Sequence, residues 1–415
     1  MSEHLHVMPR RKVCVVITAR PSYSRVKSVL RAIQLHPDLD LQFIVGASAV
    51  LDRYGDVVNV MRRDGFEPTA LVYMVVEGEN LVTMAKSTGL GLVELATLFD
   101  NLRPDIVVTV ADRYETIATA IAASYLNIPV AHIQGGEITG SIDEKVRHAV
   151  TKLSNLHFVS NAQAAARVKR MGEPADTVFV TGCPSIDLAA DLDLTLDFDP
   201  YEKYQGVGPR FDHSKGYVVV LQHPDTTHHE DARAQIEQTL GAVAELDVPA
   251  FWFWPNVDAG SDGTSKGIRS FRENQRESKF HFFKNMDPED FLRLLANADC
   301  LIGNSSAGIR ECSFLGTPAV NIGERQRGRQ RAANVLDVGY DQQEILAGIR
   351  AQLAHGHYPT SSTYGDGLAG IRIADLLAEV PLRHEKQLAY EPNDEGDTNA
   401  EPWGHPGARR LERSA

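Results

Sequence analysis

Between His132 and His148 the sequence gathers three carboxylates, Glu137, Asp143 and Glu144, with two histidines and three glycines. Carboxylates that share a cleft push one pKa upward while another stays low, so such a group can supply a general acid and a general base. Ser141 and Glu144 have the S-x-x-E spacing of a capping box, which assigns Glu144 to holding a helix start. Asp143 lies four residues before Arg147 and is placed to pair with it on a helix surface. Glu137 has no periodic reason for its position. Asp112 follows the apolar run Ile106 to Val110 and is expected to face Glu137 across neighbouring strand ends. Asp112, Glu137 and Asp143 are therefore the acid–base candidates.

A second group suits an anion. Asn304-Ser305-Ser306-Ala307-Gly308 follows the apolar residues Leu301-Ile302 and opens a segment with Ile309 and Cys312 at helical spacing. A helix start with small hydroxyl residues offers free backbone N–H groups to a phosphate, although a serine N-cap alone gives the same pattern. Glu311 stands a turn later, and Gly323-Glu324-Arg325-Gln326-Arg327-Gly328-Arg329 sets three alternating arginines in a loop. Such a loop can close on an anion or simply be solvated. His223, held by Pro224 after an apolar run ending at Leu221, can bind phosphate or move a proton. No metal-ligand spacing such as HxxEH is present, so no metal site is expected.

The elements that must position these residues alternate between apolar runs and helical patterns. Val13 to Thr18 is a β-branched run, followed by a loop carrying Arg20 and an amphipathic segment from Val26 to Ile33. Further strands are expected at Leu41 to Val45, Ile106 to Val110, Pro129 to Ile133, His157 to Val159 and Thr177 to Val180. A second series covers Tyr217 to Leu221, Ala250 to Trp254, Phe280 to Phe283, Cys300 to Ile302 and Ala319 to Ile322. This alternation predicts an α/β fold of two doubly wound Rossmann-like domains with an interdomain cleft at the strands' carboxyl ends. The expected division is an N-terminal domain over 1–190, an aperiodic linker over 191–215, a C-terminal domain over 216–390 and a disordered polar tail over 391–415.

Length and charge agree. At 415 residues the chain exceeds what one core usually supports, and 43% apolar content is ample for two. With 42 basic against 55 acidic residues, neither nucleic acid nor a membrane surface is an expected partner. Four scattered cysteines without CxxC pairing, no signal-like N-terminus and no apolar run near 18 residues point to a reduced, cytoplasmic protein.

The order and wording of the motifs ITARPSYSRVKSVL, ADRYET, HIQGGEITGSIDEKVRHAVTKLSNLHFVSN, VTGCPSID, LQHPDTT, FWPNVDAGSDG, IGNSSAGIREC and NIGERQRGRQRAANV resemble the hydrolysing UDP-N-acetylglucosamine 2-epimerases of sialic-acid and legionaminic-acid biosynthesis. The resemblance runs from about Lys12 to Leu377. It implies a glycosyltransferase-B-like fold, a UDP-sugar in the cleft and no metal or redox cofactor. It also implies elimination of UDP to a glycal followed by water addition with inversion at C2, giving N-acetylmannosamine. Carried onto this chain, Arg20 would hold phosphate, Asp112, Glu137 and Asp143 would be the catalytic carboxylates, and His223 would lie at the phosphate side. Ser305 and Ser306 would bind diphosphate, Glu311 ribose, and Asn256 and Asp258 the nucleotide sugar. Which carboxylate is base and which acid is left open. The alternatives are the same reaction on UDP-2,4-diacetamido-trideoxyhexose and a non-catalytic UDP-sugar-binding protein. The expected partners are a UDP-sugar and further copies of the chain, in a dimer or tetramer. Ala111 departs from the glycine expected before Asp112, and the tail matches no family motif.

Overall fold

The computed structural model describes residues 9–51, 57–77, 81–110, 113–138, 142–225, 230–255, 260–274 and 279–389. The first seven strands are β1 (Arg11–Ile17), β2 (Leu39–Gly46), β3 (Ala70–Val72), β4 (Ile106–Val110), β5 (Val130–Ile133), β6 (Leu156–Val159) and β7 (Val178–Val180). They form one sheet in the order β3-β2-β1-β4-β5-β6-β7, with every neighbouring pair parallel. The next six are β8 (Val218–Leu221), β9 (Ala250–Phe253), β10 (Phe280–Phe283), β11 (Cys300–Gly303), β12 (Ala319–Ile322) and β13 (Val335–Val338). They form a second parallel sheet, β10-β9-β8-β11-β12-β13. Two parallel α/β sheets realise the two-domain fold that the alternation implied.

The β-branched runs form strands because helices cover both sheet faces and leave neither to water. In β1, Val13, Val15 and Ile17 enter one core while Cys14 and Val16 enter the core on the opposite face, the period of two that a strand imposes. The two strands not anticipated from the sequence, β3 and β13, are short edge strands; in β13 Leu336 and Asp337 are exposed. All four cysteines are buried free thiols.

Two features depart from the sequence reading. The 216–390 segment does not pack as one body, because the helix Ala369–Glu379 returns to the first sheet. Its Ile373, Ala374 and Leu377 join the core with Val29, Leu30 and Ile33 of the helix Lys27–Leu35. Asp187 of the crossing helix Pro184–Asp191 caps that return, accepting from the backbone N–H groups of Ala369 at 3.0 Å and Gly370 at 2.6 Å. The chain then continues along the first domain, with Arg11 Nη1 donating to the Val380 carbonyl at 3.0 Å and His384 Nδ1 lying 2.7 Å from the Asn127 carbonyl. The other concerns apolar length: no unbroken apolar run nears 18 residues, yet a helix interrupted by Lys86, Glu94 and Asp100 is apolar on average. The helix Leu81–Leu102 is, among the described residues, long and apolar enough by length and composition to cross a bilayer. Here its Leu95 and Phe99 pack into a core of the first sheet, while Leu81, Val82, Leu90 and Val93 are exposed.

The returning helix generates a stability prediction. Ile373 is fully buried in the first core, so Ile373→Ala should cost about 2–5 kcal/mol, read as a lowered urea midpoint. A change below about 0.5 kcal/mol would mean that the last helix does not carry that core.

Candidate active site

In each sheet the order reverses beside one central pair, β1 with β4 and β8 with β11, and ligands of open α/β sheets bind outside the carboxyl ends at such points. Beyond β8 and β11 the two ends are tied together. Asn304 Oδ1 accepts from the His223 N–H, and Asn304 Nδ2 donates to the His223 carbonyl, both at 2.8 Å. The approach requires glycine at 303, where φ is +133° and a Cβ would lie 2.2 Å from the Leu221 carbonyl oxygen. His223 is buried beside this pair.

Ser305 caps the following helix, its Oγ accepting from the Ala307 N–H at 3.3 Å. That helix, Ser306–Ile309, lasts a single turn before Arg310 breaks it at φ −103° and ψ −74°, and a second short helix covers Glu311–Leu315. The helix start expected from the spacing is present, but it is a single turn. Glu311 Oε2 is buried with no hydrogen-bond partner among the described residues, an acceptor available to a hydroxyl.

Across the cleft, β5 is followed by Gln134, which turns at φ +64° and donates from Nε2 to Cys183 Sγ at 3.0 Å. Gly136 follows at φ +73°, where a Cβ would meet the Ala164 carbonyl oxygen at 2.4 Å. The turn delivers Glu137 into a buried cluster. Arg310 Nη2 donates to Glu137 Oε2, Arg329 Nη2 lies 3.5 Å from the same oxygen, and Ser160 Oγ donates to Oε1 at 2.8 Å. The loop's carbonyls are held as well: Arg167 donates to Gly136 at 3.2 Å, Arg147 to Glu137 at 3.2 Å and Arg329 to Ile138 at 3.1 Å.

Burial alone would raise the Glu137 pKa, but Arg310, Arg329, Arg147 and the Ser160 hydrogen bond outweigh it and hold the carboxyl at about 2. Burial and neighbouring Arg310 push Arg329 down to about 9, still a cation at neutral pH. Arg310 is raised, because Glu137 outweighs the burial that would lower it. Sequence reasoning grouped Glu137 with the acid–base candidates. In this structure both of its oxygens are engaged and it pairs with arginines of the other domain.

The other expected residues are distributed as follows. Asp143 lies in the first turn of the helix Ile142–Leu153. Arg147, expected on that helix's surface, is 1% exposed and turned inward to the Glu137 carbonyl. Glu144 faces His148 at 2.8 Å, while Ser141, the other half of the expected capping box, lies outside the described residues. Arg20 opens the short helix Arg20–Ser24 after β1. Asp112, Asn256, Asp258 and the 391–415 tail also lie outside the described residues. His132 is buried in β5 at 3.1 Å from Thr151 Oγ1, and burial holds it neutral.

The three alternating arginines have separate fates. Arg327 is exposed beside Glu324, Arg325 donates to the Asn304 carbonyl at 3.4 Å, and Arg329 closes on Glu137, an anion supplied by the protein itself. Arg310 was given no role from the sequence, and Asn304 was named only as the start of the serine motif. The available signal was an arginine inside the apolar pattern Ala307-Gly308-Ile309-Arg310-Glu311-Cys312, since a charge at a core position needs a partner.

The cluster generates a pH prediction. Glu137 is depressed from 4.5 to about 2, so its contribution to stability is fully present above pH 4.5 and is lost as pH falls through about 2. The Tm difference between wild type and Glu137→Gln should therefore shrink as pH is lowered across that window. A constant difference would show that the carboxyl is not held low.

Comparison with known proteins places this geometry in a family. The model of the UDP-N-acetylglucosamine 2-epimerase family matches residues 31–378. The chain is 32% identical over 375 residues to UDP-N,N'-diacetylbacillosamine 2-epimerase (hydrolyzing) of Legionella pneumophila, covering 90% of this chain and 97% of that protein. It is 32% identical over 342 residues to polysialic acid biosynthesis protein P7 of Escherichia coli, covering 82% and 85%. The crystal structure of Neisseria meningitidis UDP-GlcNAc 2-epimerase bound to UDP-GlcNAc superposes with a TM-score of 0.74 at 20% identity, over 88% of this chain and 99% of that one. Sequence match and shared fold together make this chain a member of the UDP-N-acetylglucosamine 2-epimerase family.

Proposed function

We propose that the protein is a hydrolysing 2-epimerase that converts UDP-N-acetylglucosamine to N-acetylmannosamine and UDP. The observation that carries this reading is the arrangement of two half-sites facing one cleft. His223, Ser305, Ser306 and Glu311 stand at the β8–β11 ends, and the helix bearing Asp143 stands beyond β5, with Glu137 clasped to Arg310 between them. The first half-site suits a UDP group: hydroxyls and His223 for diphosphate, and the unpartnered Glu311 Oε2 for a ribose hydroxyl.

In this mechanism one carboxylate removes the C2 proton and the C1–O bond breaks to give a glycal and UDP. Water then adds across the double bond, with protonation at C2 on the opposite face. The C2 proton is weakly acidic and needs an oriented base, while the departing diphosphate gains from fixed cationic and hydroxyl donors. Asp112 and Asp143 are the acid–base pair of this reading, and Glu137 serves by position. Arg20, Asn256 and Asp258 complete the substrate contacts. The exposed apolar residues Leu81, Val82, Leu90 and Val93 support a homo-oligomer. A second reading, the same reaction on UDP-N,N'-diacetylbacillosamine, is favoured by the similarity to the Legionella protein.

Incubation with each UDP-sugar in deuterated water tests both. Free UDP with a C2-deuterated, epimerised sugar is expected from the true substrate; binding of both without turnover would sink the enzymatic reading. Asp112→Asn and Asp143→Asn should each lower kcat by about 100- to 10,000-fold with UDP affinity nearly unchanged, and wild-type turnover in either variant would remove that residue from the mechanism.

A further inference from the structure

The clasp between Glu137 and Arg310 joins two segments that the proposed reaction keeps separate. Arg310 sits between Ser306 and Glu311, at the break between the two short helices of the nucleotide half-site. Its Nε and Nη1 are buried and have no hydrogen-bond partner among the described residues, so Glu137 is the carboxylate that the structure sets against this guanidinium. Any shift of backbone at 305–311 therefore reaches Glu137 directly.

A second path runs in parallel. Asn304, bonded reciprocally to His223, accepts at its carbonyl from Gln326 Nε2 at 2.8 Å. Gln326 Oε1 accepts from Arg329 Nη1 at 2.7 Å, and Arg329 meets both the Glu137 carboxylate and the Ile138 carbonyl. On the far side, the Glu137 carbonyl is bonded to Arg147, one helical turn beyond Asp143. Nucleotide-side residues and the helix carrying Asp143 are thus joined by a run of neutral and charge-assisted hydrogen bonds and ion pairs.

We propose that Arg310, acting through Glu137, is a positioning residue that couples nucleotide occupancy beside Ser305, Ser306 and Glu311 to the geometry of the helix Ile142–Leu153. The proposal rests on the reading of the first half-site as a UDP site. A bound UDP fixes the 305–311 backbone, Arg310 fixes Glu137, and Arg147 carries that constraint to the turn holding Asp143. The arrangement ties a competent carboxylate geometry to the presence of the leaving group.

Hydrogen exchange of the peptide covering 142–153, measured on the full chain with and without UDP, tests it alongside kinetics. In wild type, UDP should slow exchange in this helix. In Arg310→Met that slowing should be lost while UDP affinity stays within about threefold, and kcat should fall about 100-fold with little change in KM. Glu137→Gln, which is isosteric and keeps the packing, should show the same split, and Arg310→Lys should recover part of it. UDP-induced slowing that persists in both Arg310→Met and Glu137→Gln overturns the coupling, as does a wild-type helix indifferent to bound UDP. A parallel loss of UDP affinity and turnover would make Arg310 a binding residue and overturn it too. Failure of wild type to bind UDP at all would instead sink the assignment of the half-site.

Discussion

A single buried carboxylate between two buried guanidiniums is the constraint around which this molecule is arranged. Glu137 is 3% exposed, Arg310 1% and Arg329 7%, and they come from opposite sides of the cleft. Removing charges from water is costly, and only close, hydrogen-bonded pairing offsets that cost. The two domains must therefore meet in a register that brings these groups together. Leaving either partner alone would strand a charge in the interior, which is strongly destabilising. Arg167 adds a further link, donating both to Gly136 and to the Gly328 carbonyl across the interface.

The polar groups around this cluster follow from it. The loop from Gln134 to Ile138 runs through the positive φ of Gln134 and Gly136, a conformation that exposes successive carbonyls, and arginines take three of them. The return of Ala369–Glu379 to the first sheet, capped by Asp187, makes the chain cross between the domains a second time and limits how far they can separate. Lys27, bonded to Asp64 at 2.9 Å and to Glu289 of the second domain, adds another tie. Buried ion pairs, a crossing helix and surface charge thus tie the two sheets together at several separate places.

Much of the fold was legible because parallel strands buried on both faces must be unbroken apolar runs. Eleven of the strands announce themselves that way, and β1 at Arg11–Ile17 does so most clearly. Of the two strands not anticipated, β3 is only three residues long, and β13 is an edge strand with Leu336 and Asp337 exposed. The last helix was misassigned for a different reason. Its apolar face says that it must be covered, and nothing local says by which domain.

The sequence by itself determined the alternation of elements, the two α/β sheets and the motif content that resembles the family. Residue types and spacing also singled out the Ser305–Glu311 segment and the carboxylates as candidates for chemistry. Tertiary structure alone decided what Glu137 does, because a carboxylate's role is set by its neighbours, and Arg310 and Arg329 lie 173 and 192 positions away in the chain. The same holds for the arginine loop, whose three identical side chains differ only in what the fold puts beside them. Local patterns record which residues must be buried or turned; the electrostatic partner of a buried charge is a long-range fact, and it exists only once the two domains have closed on each other.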